Sequence, residues 1–394
     1  MQLRSAHRLQ SQTKWRTYRT KTISHWTRLF FHARFIPLND FQKNGNYATD
    51  PVEERTGVIF LSESDVQSAI TMSEALTIAE SAFSEYARGQ ATMLPRISQT
   101  LPGTAGLFRI LGATLPLQRM FGLKTLTGFP GRRLENETYF AILLFEMESG
   151  ALRAVISANY LTGLRTGAAS GVAAKYMSRA DANSLGIVGA GTQAWYQAEA
   201  ICAVRTVHTA KVFSRDPSKA NQLASRLEKD LSVRAIAVSS AEEAIRESDL
   251  VVAATTASVP IIQGAWLKPG AHVSGIGANT RTKQELDPTC FERARVVADS
   301  REQVLDECGD LRSAVDGGTV TSNVVYAELG ELTAGLMPGR TSPEEITIFK
   351  SVGIALQDIA VAAALFATAE RCGLGTPLAA HAMSRHIAEP TQAR

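Results

Sequence analysis

The chain has 394 residues, of which 45% are hydrophobic and 20% are charged, and its formal net charge at pH 7 is +3. This composition is typical of globular proteins, and the length is sufficient for two domains. So small a charge gives little reason to expect nucleic acid or a membrane as partner, and four scattered cysteines without a C-x-x-C pair favour a reducing compartment over a disulfide scaffold.

The first 55 residues differ in character from the rest of the chain. They are rich in arginine and contain no acidic residue before Asp40, which is the character of an organellar transit peptide. The alternative, which we favour because no amphipathic Ser-rich helix stands out, is a non-native extension from an upstream start codon. We exclude this segment from the fold and expect a cytoplasmic protein, or an organellar one if the transit peptide is genuine.

Regular structure is predicted to begin with a strand at Val58–Leu61, followed by Ser62 as a helix N-cap. Apolar spacing then predicts a helix over about Met72–Arg88. Several strand-like pieces follow between residues 93 and 157, joined by Gly and Pro turns, with a hairpin tip at Glu148–Gly150. The first part of the chain is therefore predicted to form a sheet rich in antiparallel pairs, packed by helices.

A helix rich in glycine and alanine is predicted over about Tyr160–Met177. Glycine is unfavourable inside helices, so its abundance indicates close approach of another backbone or a ligand. From Ala182 apolar strands alternate with helices, which predicts a doubly wound parallel sheet that ends near residues 300–310. A further strand, "EEITIFKS", and a long helix, "GIALQDIAVAAALFATAERCG", are predicted between residues 326 and 373.

The stretch "LGIVGAGTQA" reads as a buried strand that runs into the dinucleotide-binding turn G-x-G-x-x-A. Gly189 would make the tight turn, and Gly191 would let the backbone approach a pyrophosphate at the helix N-terminus. Ala194 would allow close packing of the helix on the strand. Because the turn stands inside a sustained strand–helix alternation, we predict that the protein binds a dinucleotide.

The choice between NAD and NADP as the dinucleotide is predicted from the end of the second strand, "KVFSRDP". An acid at the strand tip would accept hydrogen bonds from the ribose hydroxyls of NAD. Here the tip is Ser214 followed by Arg215, and both can donate to a 2′-phosphate. We therefore expect NADP(H) to be favoured, with NAD(H) the alternative if Arg215 only stacks on the adenine.

Three cationic residues stand out among apolar or small neighbours: Arg96, Lys124 and Arg165. Taken singly, each is more often a surface charge. If they converge on a cleft, they would form an anion site suited to a carboxylate. None of the seven histidines lies at a metal-ligand spacing and no G-x-S-x-G occurs, so we expect neither a metal site nor a serine hydrolase.

Taken together, these motifs resemble those of the ornithine cyclodeaminase/mu-crystallin family. The resemblance covers about Val58–Pro377 and rests on segments that include "LPRI", "GLKTLTGFPG", "LTGLRTGAASGVAAKYM", "IVGAGTQA", "VAATTASVPII", "PGAHVSGIGANTRTKQELD" and "GRTSPEEITIFKSVGIALQDIAVA". It implies a Rossmann-type doubly wound sheet, residues 179–311, inserted into an α+β substrate-binding and dimerisation domain, residues 56–178 plus 312–388. It also implies a homodimer that acts on a small α-amino or α-imino acid.

The resemblance implies roles for individual residues. Arg96 and Lys124 would hold the substrate carboxylate, Arg165 would sit between substrate and cofactor, and Val352 would approach the substrate side chain. Lys124, Arg165 and Asn279 are the expected catalytic residues. Besides Arg165 and the residues of the turn and strand tip, the expected cofactor contacts are Thr138, Thr166, Thr192, Gln193, Thr255, Gly277, Asn279, Lys283 and Ser351.

Three functions stay open at this stage. In the cyclodeaminases, the motif that resembles "GIGANT" ends in an aspartate that handles protons, and here that position is Asn279. An amide is not an acid or base at neutral pH, which favours a ketimine reductase or amino-acid dehydrogenase over conversion of L-ornithine to L-proline plus ammonia. A nucleotide-binding protein without turnover is the third possibility, but it would have no use for a carboxylate clamp.

Overall fold

The computed structural model describes residues 57–104, 106–129 and 139–379. The extension predicted over residues 1–55 and the predicted cofactor contact Thr138 lie outside these ranges. The described residues all belong to one compact unit, which spans residues 56–394.

The strands, in chain order, are β1 (Val58–Leu61), β2 (Thr92–Met93), β3 (Ile97–Thr100), β4 (Leu107–Leu115), β5 (Met120–Gly128), β6 (Tyr139–Glu146), β7 (Leu152–Ser157), β8 (Ser184–Val188), β9 (Thr209–Phe213), β10 (Arg234–Ala237), β11 (Leu250–Ala253), β12 (Ser258–Ile262), β13 (His272–Gly275), β14 (Gln284–Leu286), β15 (Ala294–Ala298), β16 (Val325–Glu328), β17 (Ile346–Lys350) and β18 (Thr376–Leu378).

The helices are α1 (Glu63–Ala69), α2 (Met72–Ala87), α3 (Asn159–Met177), α4 (Thr192–Val204), α5 (Pro217–Leu231), α6 (Ala241–Ile245), α7 (Pro288–Glu292), α8 (Arg301–Glu307), α9 (Gly309–Asp316), α10 (Leu329–Thr333) and α11 (Ala355–Cys372). Single 3₁₀ turns occur at Pro116–Gln118, Gly264–Trp266 and Ser322–Val324. The predicted strand at Val58–Leu61 and the predicted Ser62 cap are confirmed, since the Ser62 side chain accepts a hydrogen bond from the Asp65 amide in a capping box.

The first sheet has the order β18-β1-β7-β6-β5-β4-β2, and β3 also pairs with β4. Its central pairs β4–β5, β5–β6 and β6–β7 are antiparallel, as predicted, and the turn at Glu148–Gly150 joins β6 to β7. The long helix α11 packs against this sheet and against α3. Helix α11 ends at Gly373, which has a positive φ and adopts the left-handed conformation.

The second sheet is parallel throughout, with the order β10-β9-β8-β11-β13-β17-β15-β16, and helices connect its strands. The fold is thus α/β with a Rossmann-type doubly wound sheet beside an α+β part, as predicted. The expectation that this sheet ends near residues 300–310 is wrong. The completely buried strand β17 pairs with β13 on one side and β15 on the other, so the sheet needs a segment from much later in the chain.

The predicted partition into residues 56–178 plus 312–388 and residues 179–311 stays a prediction. The order of strands bears on its second boundary, because β16 and β17 follow residue 311 yet pair within the second sheet.

Helix α3 lies between the two sheets, and its close packing accounts for its glycine content. A side chain at Gly163 or Gly167 would collide with the ring or the carbonyl group of Tyr196 on α4, and one at Gly171 would collide with Leu76. The glycines therefore allow the close helix–helix approach that the composition indicated. This packing places Arg165 and Thr166 of α3 near the N-terminus of α4, where the dinucleotide-binding turn lies.

Candidate active site

A cavity of about 580 Å³ lies between the first sheet and the carboxyl ends of the central strands of the second sheet. Strands β4, β5 and β6 supply one wall, and α3 supplies Thr162, Arg165 and Thr166. The remaining wall is formed by the segments that follow β8, β11, β13 and β17. Ligands of doubly wound proteins bind at this end of the sheet, so the position is the one expected for a dinucleotide site.

Most of the predicted site residues line this one cavity, although they come from distant parts of the sequence. They are Arg96, Lys124, Arg165, Thr166, Gly191, Thr192, Gln193, Thr255, Gly277, Asn279, Lys283, Ser351 and Val352. Gly189, Ser214 and Arg215 are not among the lining residues. The grouping places the three predicted cations at one cavity; the role of each residue stays a prediction.

The dinucleotide-binding turn has the geometry that a pyrophosphate requires. Gly189 has φ +109°, and a side chain there would collide with the carbonyl group of Ala254. Gly191 is the N-cap of the 13-residue helix α4, makes no side-chain cap, and has open space where a Cβ would point. Gly191, Thr192 and Gln193 at this helix end line the cavity, so the residues present fit a nicotinamide dinucleotide.

Glu285, which was not predicted as a site residue, fixes two of the cavity-lining segments. Its Oε1 accepts from the Thr255 amide at 2.5 Å, and its Oε2 accepts from the amides of Gly277 and Ala278 at 2.6 and 3.1 Å. Burial raises the pKa of this carboxyl group. One buried carboxylate thus joins the ends of β11 and β13 and sets the positions of Thr255 and Gly277.

Asp299 does the same for the segment after β17. Its Oδ2 accepts from the Ser351 hydroxyl at 2.6 Å and from the amides of Val352 and Gly353 at 3.1 and 2.7 Å. The Ser351 hydroxyl is therefore already engaged, although Ser351 lines the cavity. Val352, the residue expected near the substrate side chain, is fixed through its backbone.

Lys124 and Arg165 share a single carboxylate, that of Asp358 on α11. Lys124 Nζ donates to Asp358 Oδ1 at 2.7 Å and to Thr162 Oγ1 at 2.6 Å. Arg165 Nε donates to the same Oδ1 at 2.8 Å, and its Nη1 donates to Gln357 Oε1 at 2.6 Å. Asp358 was not predicted as a site residue, although an acid inside the apolar run "ALQDIAVAAALF" was a usable signal.

Lys124 is chemically unusual because it is completely buried. Burial lowers the pKa of its ammonium to about 8, against the opposing effect of Asp358 and with a further lowering by the nearby Arg165. The ammonium also lies 4.6 Å from the centre of the Phe140 ring. A lysine with a pKa close to neutrality is suited to giving and taking a proton.

Arg96 lines the cavity with its guanidinium already engaged. It forms an ion pair with Glu307 and donates to the backbone oxygen of Gly353, and its side chain is 5% exposed. Its Nε has no partner among the described residues. A substrate carboxylate bound at Arg96 would therefore share the guanidinium with Glu307.

Asn279 lies on the cavity wall beside Lys283, whose Nζ donates to the Asn279 Oδ1 at 3.3 Å. Burial lowers the pKa of Lys283, against the opposing effect of Glu285. The amide at this position thus faces the cavity, where it can hold a hydrogen bond but cannot exchange a proton.

The strand tip at Ser214 and Arg215 lies next to the turn, because the Gly189 amide donates to the carbonyl oxygen of Phe213 at 2.9 Å. Arg215 is exposed. The neighbouring Asp216 serves as the N-cap of α5, and its Oδ1 accepts from the Ser218 amide at 3.0 Å. The acid nearest the strand tip is thus engaged in capping a helix.

Within the described ranges, no group of three or more His, Cys, Asp or Glu residues is placed to hold a metal ion. In that same part of the chain, no helix combines the length and the apolar character needed to cross a bilayer.

Similar proteins and solved structures match about four fifths of this chain over nearly the whole of their own length. The alanine dehydrogenase of Archaeoglobus fulgidus is 37% identical over 322 residues, which is 81% of this chain and 98% of that protein. The Δ1-pyrroline-2-carboxylate reductase of Thermococcus litoralis, solved with NADH and L-proline, has a TM-score of 0.79 at 35% identity and covers 81% of this chain and 99% of its own. An archaeal alanine dehydrogenase dimer with bound NAD has a TM-score of 0.78 at 35% identity, covering 82% and 99%.

These relatives are oxidoreductases that act on imino or amino groups of small acids and use nicotinamide cofactors. The sequence pattern that defines one protein family matches residues 57–372, which is most of the described chain. The chain belongs to the ornithine cyclodeaminase/mu-crystallin family.

Proposed function

We propose that this protein is a nicotinamide-dependent reductase of small α-imino acids, which in the reverse direction oxidises the corresponding amino acids. The observation that carries the proposal is the group formed by Lys124, Asp358 and Arg165, which lies at a cavity completed by a dinucleotide-binding turn. The activities of the archaeal relatives support the same reaction class.

The proposed chemistry assigns each member of the group one task. Arg165 and Arg96 bind and orient the α-carboxylate in place of the expected pair Arg96 and Lys124, since planar guanidinium groups suit that geometry and Asp358 already engages Lys124. Lys124 Nζ holds a proton beside the imine nitrogen and gives it to that nitrogen, and Asp358 keeps the ammonium in place. The reduced cofactor, when bound, supplies the hydride that the imine carbon accepts, so that C=N becomes CH–NH.

We favour this activity over ornithine cyclodeamination because of Asn279. A cyclodeaminase must move protons at the substrate amines during ring closure and ammonia loss, and the amide of Asn279 cannot do so. Reduction of an imine needs one proton on nitrogen, which Lys124 can supply. A binding protein without turnover would not need a buried lysine with a pKa near 8 in its cavity.

The test is consumption of reduced cofactor by the purified protein with a panel of α-keto acids plus ammonium, and with cyclic imines such as Δ1-pyrroline-2-carboxylate. We expect turnover with at least one compound and release of one oxidised cofactor per amino acid formed. Conversion of L-ornithine to proline and ammonia with catalytic oxidised cofactor would favour the cyclodeaminase instead. No turnover with any compound, together with tight cofactor binding, would favour the binding protein.

We also propose that NADP(H) is preferred to NAD(H), although the relatives described above were solved with NAD or NADH. Support comes from Arg215, which is exposed at the strand tip, and from Asp216, whose carboxylate caps α5. Replacement of Arg215 by alanine should then lower kcat/KM for NADPH about tenfold and leave NADH little changed. Arg234→Ala, at the amino end of the adjacent strand, is the matched control; a wild-type preference for NADH would overturn this proposal.

We propose that the protein is a homodimer, as one archaeal relative is. Strand β3, at the margin of the first sheet, is exposed along its whole length, and Leu94 and Ile97 are 60% and 57% exposed. A symmetric partner would cover such a margin. A monomeric mass by light scattering at micromolar concentration would overturn this proposal.

We propose a cytoplasmic location, supported by four cysteines that are all free. The organellar alternative depends on residues 1–55 and is tested by comparing fluorescent fusions of the full chain with fusions that start at residue 56. An organellar signal that disappears on truncation would overturn the cytoplasmic proposal.

A further inference from the structure

The cavity carries more positive charge than the α-carboxylate of a substrate requires. Five of its lining residues are lysine or arginine, namely Arg96, Arg109, Lys124, Arg165 and Lys283, and its described lining residues include no aspartate or glutamate. Asp358, which does not line the cavity, forms ion pairs with Lys124 and Arg165. Glu307 forms an ion pair with Arg96. Lys283 donates a hydrogen bond to Asn279, and the negative charge of Glu285 opposes the lowering of its pKa by burial.

Arg109, which was not predicted as a site residue, is the exception among these cations. Within the described ranges no carboxylate forms an ion pair with it, and its Nε is buried without a hydrogen-bond partner. Burial and the neighbouring Arg96 lower its pKa, against the opposing effect of Glu307. Arg109 is half-buried, and Glu307, which forms its own ion pair with Arg96, is the negative charge that acts on it. An anion that enters the cavity would give the Arg109 guanidinium a direct partner.

The pleat of the first sheet fixes where Arg109 points. Leu107, Arg109 and Leu111 alternate along β4, and all three line the cavity. Arg109 pairs with Leu126 and Leu111 pairs with Lys124, so Arg109 and Lys124 are diagonal neighbours on the same face. The Cβ atoms of such neighbours are roughly 7 Å apart, so a small molecule whose imine nitrogen lies beside Lys124 can reach Arg109 with an anionic group on its side chain.

The surroundings of Arg109 suit a short carbon chain between these anionic groups. Leu107, Leu111, Leu126 and Phe140 provide apolar contacts on the same wall. Since the cavity of about 580 Å³ must also admit the nicotinamide end of the cofactor, it leaves room for a small acid only.

We propose that Arg109 binds an anionic group on the side chain of the substrate, so that the preferred substrates are α-imino dicarboxylic acids of about four or five carbons. The inference rests on the proposed imine reduction and adds the substrate class to it. Arg109 is a specificity residue in this account, since Arg165 and Arg96 bind the α-carboxylate and Lys124 holds the proton.

The test compares two substrates in wild type and Arg109→Met. Oxaloacetate plus ammonium forms an imino dicarboxylate, and pyruvate plus ammonium forms an imino monocarboxylate. We expect wild type to favour the dicarboxylate at least tenfold in kcat/KM. Arg109→Met should lower kcat/KM about 100-fold for the dicarboxylate and at most about threefold for the monocarboxylate, as expected for loss of one charged hydrogen-bonded pair.

Two further variants guard against a merely structural effect. Arg109→Lys keeps the charge and should retain part of the preference. Arg119→Met, an exposed arginine in the turn between β4 and β5, should behave as wild type. Thermal unfolding identifies any variant that does not fold, and in that case the lysine variant decides.

A binding measurement separates this inference from the proposed function. Calorimetry with the enzyme–cofactor complex should give succinate a dissociation constant at least tenfold weaker in Arg109→Met, with that of butyrate little changed. Equal losses for both acids would show that Arg109 belongs to the α-carboxylate clamp and would overturn the inference, as would a wild-type preference for pyruvate. If no imine is reduced but succinate binding still depends on Arg109, the proposed function fails and the anion site stands.

Discussion

Lys124 Nζ and Asp358 Oδ1 lie 2.7 Å apart, although 234 residues separate them in the chain. Lys124 is on β5 of the first sheet and Asp358 is in the first turn of α11. Both side chains are buried, so neither charge is tolerable without the other. The pair therefore ties the helix to the sheet and sets up the proton-carrying group at the same time.

Removing the shared carboxylate should destabilise the protein. Asp358→Asn leaves two buried cations, Lys124 and Arg165, without their counter-charge, and we expect a loss of roughly 3–5 kcal/mol in the free energy of unfolding. Urea denaturation of the purified variant measures this. Asp230→Asn, which breaks only an exposed ion pair with Arg226, should change stability by less than about 1 kcal/mol. Equal stability of Asp358→Asn and wild type would contradict the pairing.

The lowered pKa of Lys124 predicts the pH dependence of turnover. The ammonium form donates the proton, so kcat for imine reduction should fall as the pH rises through about 8, and amino-acid oxidation should rise over the same range. Lys124→Arg should lower kcat at least 100-fold at pH 7 and remove this inflection, because a guanidinium does not titrate there. Profiles of kcat that are flat from pH 6 to 10 in wild type would exclude Lys124 as the proton donor.

Arg96 should act on substrate binding rather than cofactor binding. Arg96→Met removes a two-pronged carboxylate contact, so we expect KM for the imino acid to rise roughly tenfold to 100-fold with the cofactor dissociation constant nearly unchanged. Steady-state kinetics and cofactor fluorescence titration measure the two quantities. A variant that loses cofactor binding and folded structure together would show that Arg96, with its Glu307 partner, is only structural.

Gly191 offers a test of the dinucleotide site that does not depend on turnover. Its Cβ position is open space and its backbone conformation is ordinary, so Gly191→Ala should leave the melting temperature of the cofactor-free protein unchanged. The added methyl group should hinder the approach of the pyrophosphate and weaken cofactor binding at least tenfold. Gly57→Ala, which also meets open space but lies outside the cavity wall, is the matched control. Unchanged cofactor affinity in Gly191→Ala would mean that the turn does not hold the pyrophosphate.

Local patterns in the sequence were sufficient to predict strands and helices that have a regular apolar spacing or a capping residue. The strand at Val58–Leu61, the Ser62 cap and the dinucleotide turn are examples. The position of β17 could not be predicted in this way. Its insertion between β13 and β15 depends on pairing with strands that are distant in sequence. The local pattern "ITIF" predicts a strand but not its partners.

The residues of the candidate site likewise include some that the sequence predicted and some that only the fold reveals. Their apolar or small sequence neighbours singled out Arg96, Lys124 and Arg165, the resemblance gave them roles, and the structure places all three on one cavity. The buried acids Glu285, Asp299 and Asp358 were missed, because their importance comes from the amides and cations that the fold brings to them. Arg109 was missed because alternation along β4 does not tell which face of the sheet meets the cavity.

The most direct measurement follows deuterium from the cofactor. The purified protein is incubated with reduced cofactor carrying two deuterium atoms at nicotinamide C4, ammonium, and either oxaloacetate or pyruvate, and the amino acid is analysed by mass spectrometry. We predict one deuterium at the α-carbon for each cofactor oxidised. No deuterated amino acid from either acid or from a cyclic imine, together with loss of ammonia from L-ornithine at constant cofactor absorbance, would contradict the account.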